Sequence, residues 1–457
     1  MSKLLPLCIV LLTASISVSA QTYTVLHNFG SKAGDPTGPR YSGVISQSRG
    51  GNMFSSADDH WTDQRGAAFS VTPSGAVTVV HRFALPGAIR PVGGLTLARD
   101  GQYYGANKTG GTYNYGNIFK MKQGGGLTVL HTFDPSDNAS GCSHPYAPPI
   151  QSVRDDFYGT AIGEGSGNGC VYRISADTGQ FTVLHTFNGT DGRGPYAPLV
   201  QGADFNFYGT TRNGGWSGYG TFFRISSTGD FESLWTFDGF TGAFPMAGLI
   251  EGSDGNFYGT TSNGAGLGVV FKTTPGGTVT VLHDFGAGGE GKTLIGGLVQ
   301  ATDGNFYGTA SEGGANGAGV LYRVSPAGDF AVLHNFDVNT GGNPQNTLMQ
   351  HTNGILYGTT EAGGNAGKGT FFNLDLGLPP HVTYLPTYGR VGALVQILGQ
   401  GFTDASEVFF NGTPATYKLV YPTYIRATVP DSATTGPITV TTTNGTLTSN
   451  KVFIVHP

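Results

Sequence analysis

Short runs of apolar and aromatic residues alternate with turns rich in Gly, Pro and Asp along most of this chain. Inside the runs, apolar and polar residues alternate with a period of two, as in 281–285 (VLHDF) and 438–442 (ITVTT). Runs of this length, rich in aromatic and β-branched residues and bounded by turn signals, predict short antiparallel strands. The pattern therefore predicts an all-β protein.

An aromatic phrase recurs along the chain at nearly constant spacing. The best copies read NFYGTT at 206–211 and 256–261 and NFYGT at 305–309, and the most divergent reads NMFSS at 52–56. The second aromatic residue of the phrase falls at positions 54, 104, 158, 208, 258, 307 and 357. Seven copies with a period near 50 residues predict a repeat architecture.

Each repeat contains four apolar runs, which we label strands A to D. In the fifth repeat they are 248–250, 257–261, 268–272 and 281–285, and the Asp-Gly pair at 254–255 supplies the tight turn between A and B. Four short strands per period of about 50 residues is typical of a β-propeller blade. The sequence thus predicts a seven-bladed propeller over residues 21–377.

The two ends of the repeat region predict how the ring closes. A D-type strand at 24–29 precedes any strand A, and the seventh repeat ends at its C strand, 369–374, without a D strand. We therefore expect residues 22–29 to complete the last blade and remove its open edge.

Composition supports this architecture and excludes other classes. Glycine accounts for 76 of 457 residues, and charged residues make up only 12% of the chain against a usual value of about 25%. The aromatic content of 12% suffices for a large core, and the net charge of −5 gives no cationic surface for nucleic acid. No transmembrane segment is predicted.

The first twenty residues have the form of a signal peptide, with Lys3, an apolar run at 4–12 and small residues at 18–20. The mature protein is therefore predicted to be secreted, extracellular or attached to the cell surface, with the periplasm as a further possibility. Its two cysteines, Cys142 and Cys170, are expected to lie on one face of the third blade, on its D–A and B–C loops, and to form a disulfide. The alternative is two free thiols.

The repeat unit, with its D-G-N-F-Y-G-T-T, G-x-x-F-K/R and V-L-H-x-F phrases, resembles the GloVer-type tandem repeat of exported bacterial proteins. The resemblance covers residues 22–377 and implies export and no assigned enzymatic activity. Residues 378–457 differ: after a linker at 378–380, the segments 399–402 (GQGF), 408–412 (VFFNG) and 435–440 (TGPITV) are similar to IPT/TIG immunoglobulin-like domains. That resemblance implies a small β-sandwich used for spacing, attachment or binding.

Two recurrent sets of residues are interpreted as scaffold. Histidines recur between apolar residues of the D strands, and equivalent positions on different blades cannot converge on one metal ion. The Phe-Tyr pairs of the B strands are expected in the core between blades, with partners for their hydroxyl groups. The histidines of this set are His27, His81, His131, His185, His283 and His334, and Trp235 replaces the histidine in one copy.

Candidate ligand-binding residues come from the long D–A and B–C loops, which propeller topology puts on one face. Aromatic rings with nearby donors suit a sugar or peptide, although a merely packed surface can contain the same residues. The predicted ligand-binding residues are Trp61, Tyr113, Tyr115, Trp216, Tyr219, Arg40, Arg90 and Arg193.

No catalytic constellation and no metal or cofactor motif is found in the sequence. The sequence therefore favours an exported, monomeric, non-enzymatic module that binds a glycan or cell-wall polymer through the long-loop face. The alternative is a protein-interaction or adhesion scaffold at the cell surface. A third possibility is a carbohydrate-active oxidase or lyase, because the domain order is similar to that of galactose oxidase, but the tyrosine, histidine and cysteine partners of its copper site are not evident here.

Overall fold

The computed structural model describes residues 21–39, 43–59, 65–84, 88–165, 167–264, 266–286, 288–404 and 406–456. In these ranges every regular element is a strand except α1 (Pro135–Ala139), a single turn whose N-cap is Asp134. The all-β prediction is therefore confirmed.

Seven antiparallel four-stranded sheets follow one another in the described residues, as predicted from the repeats. The strands up to the end of the second blade are β1 (Thr22–Asn28), β2 (Ser46–Gln47), β3 (Met53–Ala57), β4 (Ala67–Val71), β5 (Val77–Arg82), β6 (Ala88–Ile89), β7 (Thr96–Leu97), β8 (Tyr103–Asn107), β9 (Thr109–Gly110), β10 (Asn117–Met121) and β11 (Leu127–Thr132). Strands β6 and β9 form a small extra sheet between two loops.

The next three blades repeat the same order. Their strands are β12 (Ile150–Gln151), β13 (Phe157–Ala161), β14 (Cys170–Ile174), β15 (Phe181–Thr186), β16 (Val200–Gln201), β17 (Phe207–Thr211), β18 (Thr221–Ile225), β19 (Phe231–Thr236), β20 (Ile250–Glu251), β21 (Phe257–Thr261), β22 (Val269–Thr273) and β23 (Val279–Asp284). The sixth and seventh blades add β24 (Val299–Gln300), β25 (Phe306–Ala310), β26 (Val320–Val324), β27 (Phe330–Asn335), β28 (Met349–Gln350), β29 (Leu356–Thr359) and β30 (Thr370–Asp375).

Strand β1 closes the ring. It pairs antiparallel with β30, from Thr22 opposite Asp375 to Asn28 opposite Thr370, and so supplies the D strand that the seventh blade lacks. The ring of Tyr23 lies between His334 of the sixth blade and Phe372 of the seventh, with ring centroids 3.8 and 5.2 Å away. The predicted closure is confirmed.

The B-strand aromatics hold neighbouring blades together. Tyr258 stacks on Phe306 of the next blade with ring centroids 3.9 Å apart, and its hydroxyl donates to Asp254 at 2.8 Å. The same arrangement joins Tyr104 to Phe157 and Tyr158 to Phe207. The prediction that these pairs form the core between blades is confirmed.

The D-strand histidines form a second set of contacts between blades. His185 stacks on Phe231 of the next blade at 3.7 Å, and its Nε2 contacts Asp191 of the following loop at 3.1 Å. His131 and His283 make the same two kinds of contact, and Trp235 contacts Thr241 in place of an acid. Their structural interpretation is confirmed.

A glutamine at the end of strand A links each blade to its predecessor in most of the ring. Gln201 accepts from the backbone N–H of Val153 in the preceding A–B turn at 3.0 Å and donates to the Phe205 carbonyl of its own turn at 3.0 Å. Two blades depart from this pattern, with Leu97 and Glu251 at the equivalent position.

The C-terminal segment forms two further sheets around an apolar core that includes Val395, Ile397 and Phe410. Its strands are β31 (Thr383–Leu385), β32 (Tyr388–Arg390), β33 (Leu394–Leu398), β34 (Glu407–Phe410), β35 (Thr413–Ala415), β36 (Tyr417–Tyr421), β37 (Tyr424–Thr428), β38 (Gly436–Thr442) and β39 (Gly445–His456). A sheet of four strands and a sheet of five strands form the predicted β-sandwich.

This sandwich docks on the A–B turns of the propeller. Arg49, in the first A–B turn, donates to the Gln396 side chain at 2.8 Å, and its guanidinium lies 4.9 Å from the centre of the Tyr424 ring. Leu97 packs in one apolar cluster with Leu398 and Tyr424 of the sandwich. Among the residues that the structure describes, the C-terminal domain therefore covers the face formed by the A–B turns, and no part of it lies over the long-loop face.

Candidate functional site

The long D–A and B–C loops are tied to one another by backbone hydrogen bonds. Arg193 and Asn213 exchange two N–H···O bonds of 2.8 and 2.9 Å, and Ala243 and Asn263 exchange two of 2.8 and 3.1 Å. Each pair joins the D–A loop that enters a blade to the B–C loop of that blade. The expectation that both kinds of loop lie on one face is confirmed, and the backbone hydrogen bonds hold the two loops of each pair together.

The rim between the fourth and fifth blades exposes three aromatic side chains, which we call the aromatic rim: Trp216, Tyr219 and Phe240. Their exposed fractions are 81%, 39% and 77%. The carbonyl of Tyr219 accepts from the N–H of Phe244 at 2.9 Å, and the two rings meet edge to face at 5.5 Å. Trp216 therefore extends into solvent from a loop whose base is held by the next blade.

Inside the rim, the segments that lead into the innermost strands carry further rings. Tyr146 and Tyr196 lie 4.7 Å apart, and the guanidinium of Arg212 is 5.8 Å from the ring centre of Tyr196 and 5.5 Å from that of Phe244. The ammonium of Lys108 lies 5.0 Å from the ring centre of Tyr146. Cation–π contacts of this kind orient charged groups beside aromatic faces.

The structure brings together only part of the predicted ligand set. Trp216, Tyr219 and the exposed Arg193 lie on two adjoining loops, because the loop of Arg193 is bonded to the B–C loop of the same blade. Tyr113, 51% exposed, and Tyr115 belong to the B–C loop of the second blade. Tyr115 is half-buried and meets His144 edge to face at 5.7 Å.

Three other predicted residues are away from this group or outside the described residues. Arg90 has φ 60°, and its backbone bonds to Arg65 and Lys108. Trp61 and Arg40 lie outside the described residues.

The sequence did not single out Phe240, Phe244 or Arg212. Arg212 could have been found from the sequence, because it directly follows the Thr-Thr pair that ends strand B and so begins a B–C loop.

The cysteine prediction is confirmed in its pairing. Cys142 and Cys170 form a disulfide with their Cα atoms 5.1 Å apart, and both side chains are fully buried in the cluster between the second and third blades. One detail was wrong: Cys170 is the first residue of strand β14 rather than a loop residue, since its backbone pairs with Ala161 and Thr186.

On the opposite face, a buried carboxylate marks the contact with the C-terminal domain. Glu251 accepts from the hydroxyl of Tyr388 at 3.3 Å, and the ammonium of Lys451 contacts the Glu251 carbonyl at 3.4 Å. Burial raises the pKa of Glu251, and the nearby charge of Lys451 opposes that rise. Burial also lowers the pKa of Lys451. A cavity of about 360 Å³ lies beside these groups, between the A–B turns and the sandwich.

A repeat family matches more than half of the chain. The family described as the Gloeobacter/Verrucomicrobia repeat matches residues 136–298 and 265–385, which together span 136–385 of the 457 residues. The chain belongs to this repeat family. The IPT/TIG domain family matches residues 381–454 of the Gloeobacter/Verrucomicrobia repeat protein. Both resemblances drawn from the sequence are confirmed.

Repeat and IPT/TIG domains suggest a binding or adhesion module, and an IPT/TIG domain with a disulfide suggests an extracellular protein. Within the described residues, no helix has the length and apolarity that a membrane span requires. In the same residues, no group of three or more His, Cys, Asp or Glu side chains could hold a metal ion. No curated protein is similar enough to the repeat protein to count as a match.

Several solved structures are remotely similar to this chain. A fungal alcohol oxidase of the AA5 family in complex with copper is 14% identical, covering 92% of this chain and 98% of its own, with a TM-score of 0.49. An oligogalacturonate lyase from Vibrio parahaemolyticus is 12% identical, covering 78% and 97%, with a TM-score of 0.49. TolB from Acinetobacter baumannii is 16% identical, covering 63% and 64%, with a TM-score of 0.41. Likenesses this remote carry no argument about activity.

Proposed function

We propose that this repeat protein is an exported, non-enzymatic binding module that recognises a glycan or cell-wall polymer through the long-loop face of its propeller. The observation that carries the proposal is the aromatic rim. A Trp side chain with an exposed fraction of 81%, beside a second and a third exposed ring, is costly to leave in water without a binding role. The opposite face is covered by the C-terminal domain.

The chemistry of the rim suits a sugar. An exposed aromatic face packs against the apolar C–H face of a pyranose, and the tyrosine hydroxyl remains available for hydrogen bonds. Arg193, exposed on the adjoining loop, adds guanidinium donors within the same group of loops. The paired loop backbones reduce the entropy lost when a ligand binds.

A second candidate is a protein-interaction or adhesion scaffold. The observation that favours it is that the side chain of Phe240 has no polar atoms and is 77% exposed, as expected of an apolar anchor for a protein partner.

We propose in either case that residues 1–20, which lie outside the described residues, are removed on export, and that the mature protein is a monomer in solution.

Affinity electrophoresis of the mature chain in gels containing soluble glucans, xylans or peptidoglycan fragments tests the proposal. We expect retardation by at least one polymer and its loss in Trp216→Ala and Tyr219→Ala. The matched control is Tyr421→Ala, which removes a 51% exposed ring from the C-terminal domain and should bind like the wild type. Equal retardation of all three variants, or of none including the wild type, contradicts recognition by the aromatic rim.

Partner capture separates the two candidates. If the rim binds protein, crosslinking in the native host should yield one partner with the wild type and lose it with Phe240→Ala, while no polymer retards the chain. Size-exclusion chromatography with light scattering checks the monomer.

A further inference from the structure

A second cavity, of about 560 Å³, lies between the A–B turns of the third and fourth blades and the C-terminal domain. This volume suits a small ligand such as one or two sugar units. It lies on the face opposite the aromatic rim, so an inference from it does not depend on the function proposed above. The residues that give the cavity its chemistry are Arg99, Arg154, Phe205, Tyr388, Arg390 and His456.

The cavity lining is cationic in a chain whose net charge is −5. Of its three arginines, Arg99 forms an ion pair with Asp155, which also lines the cavity, at 2.5 Å. Arg154 and Arg390 have no ion-pair partner among the residues that the structure describes. These two guanidiniums, one from a propeller turn and one from the sandwich, line the same cavity without a counter-ion and can attract an anion. A guanidinium binds a carboxylate through paired hydrogen bonds.

His456 and two rings complete the lining. The Nε2 atom of His456 is shielded from solvent and has no hydrogen-bond partner in the described part of the chain. The ring of Phe205 lies 4.6 Å from that of His456 and 5.7 Å from that of Tyr388. The cavity thus combines an unused ring nitrogen with aromatic surface, the combination that a sugar with one charged group needs.

The repeats themselves show that these turns are unusual. Five of the seven A–B turns have glycine at the position with positive φ, as at Gly255 with φ 74° and Gly304 with φ 82°. The third and fourth blades have Asp155 with φ 76° and Phe205 with φ 67° instead. A residue with a side chain costs about 1 kcal/mol or more in this conformation. Both residues line the cavity. Asp tolerates this conformation and Asp155 pairs with Arg99, so it is the ring of Phe205 whose strained position indicates a use in the cavity.

We propose that this cavity is a binding site for a carboxylate-bearing sugar. The guanidiniums of Arg154 and Arg390 bind the carboxylate, the Nε2 of His456 bonds to a hydroxyl, and the sugar ring packs on Phe205 and Tyr388. Because propeller and sandwich each supply part of the lining, occupation of the site also holds the two domains together.

Ligand-detected saturation-transfer NMR on the full mature chain tests the site, with D-glucuronate as probe and D-glucose and inorganic phosphate as comparisons. We expect a saturation-transfer signal from glucuronate that rises to a plateau as its concentration increases, and no signal from glucose. If inorganic phosphate displaces glucuronate with an affinity equal to that of glucuronate itself, the sugar site is overturned, because the cavity then recognises an oxyanion alone. No glucuronate signal overturns the proposal as a whole.

Charge-neutralising variants locate the binding. Arg154→Gln and Arg390→Gln, both at exposed residues, should each raise the Kd for glucuronate at least tenfold. Lys418→Gln removes the same charge from an exposed residue of the sandwich outside the cavity and should leave the Kd unchanged. Trp216→Ala should also leave it unchanged, which separates this site from the aromatic rim. Equal weakening by Lys418→Gln would contradict the assignment.

Discussion

The carboxylate of Glu251 accepts a hydrogen bond from Tyr388 at 3.3 Å across the boundary between the propeller and the C-terminal domain. Five of the seven blades use glutamine at this position to link neighbouring turns, and Glu251 keeps that role by accepting from the N–H of Ala203 at 3.2 Å. One carboxylate therefore serves both the contact between blades and the contact between domains.

We predict that Glu251→Gln changes how stability depends on pH. Burial raises the pKa of Glu251 in the folded state, so its carboxyl favours folding below the unfolded pKa of 4.5, and that contribution is lost as pH rises through the folded pKa. The wild type should therefore lose stability relative to Glu251→Gln between pH 4 and pH 7. Urea unfolding at both pH values measures the difference, and a constant difference contradicts the prediction.

Phe205 allows a direct test of backbone strain. The backbone φ of Phe205 is 67°. We therefore expect the free energy of unfolding of Phe205→Gly to be about 1 kcal/mol higher than that of Phe205→Ala, although both variants lose the contact with His456. The matched control is Phe240, an exposed loop residue outside the positive-φ set, where the Gly variant should be no more stable than the Ala variant. Equal stability of the two Phe205 variants would show that the turn relaxes without cost.

Acid should loosen the junction between the domains. Burial lowers the pKa of His381 from 6.5 to about 4, and it also lowers the pKa of the neighbouring His351. A histidine that is kept neutral in the folded state contributes its full stabilisation of the fold above pH 6.5. This contribution is lost as the pH falls toward 4, and for His381 the loss in the free energy of unfolding is roughly 2–3 kcal/mol.

The variant His381→Gln isolates this effect, because other buried histidines act in the same direction. We expect its free energy of unfolding to fall less than that of the wild type between pH 7 and pH 4. Parallel pH profiles for the two proteins would refute a role for His381.

The disulfide should contribute strongly to stability. It joins cysteines 28 residues apart, and a cross-link of that span restricts the unfolded chain by roughly 3–4 kcal/mol. Under oxidising conditions, the double variant Cys142→Ser, Cys170→Ser should have a free energy of unfolding lower than that of the wild type by about that amount. A reductant should leave the stability of this variant unchanged. Mass spectrometry of the unreduced wild type provides the control, since a bridged chain is about 2 Da lighter than its dithiol form.

The sequence was sufficient for the propeller because the signal is repeated. Each strand is short and ambiguous by itself, but seven aligned copies define strands A to D, and the unpaired D strand at 24–29 then predicts the closure at β30. The structural role of histidines such as His185 followed from the same comparison of repeats, whereas the stacking of its ring on Phe231 is seen only in the structure.

The docking of the C-terminal domain was not predicted, although traces of it are visible in the repeats. Leu97 and Glu251 replace the strand-A glutamine, and Asp155 and Phe205 replace the turn glycine; all four contact the sandwich or line a cavity against it. A departure from a repeat shows that a position is special, but the surface that it faces depends on three-dimensional packing. The exposure of loop rings such as Phe240 depends on packing in the same way.

Closure by β1 also determines when the protein can finish folding. Asn28 pairs with Thr370, so the earliest strand has no partner until nearly the whole propeller has been synthesised. The six blades that precede the last one can assemble in order, each on its predecessor, whereas the final step must join segments separated by a very long loop, which is slow. Until then the free edge of β30 is a surface to which a second chain could add its own β1. Exchange of this strand between molecules is therefore the characteristic misfolding risk of this ring, and it should increase with protein concentration during refolding.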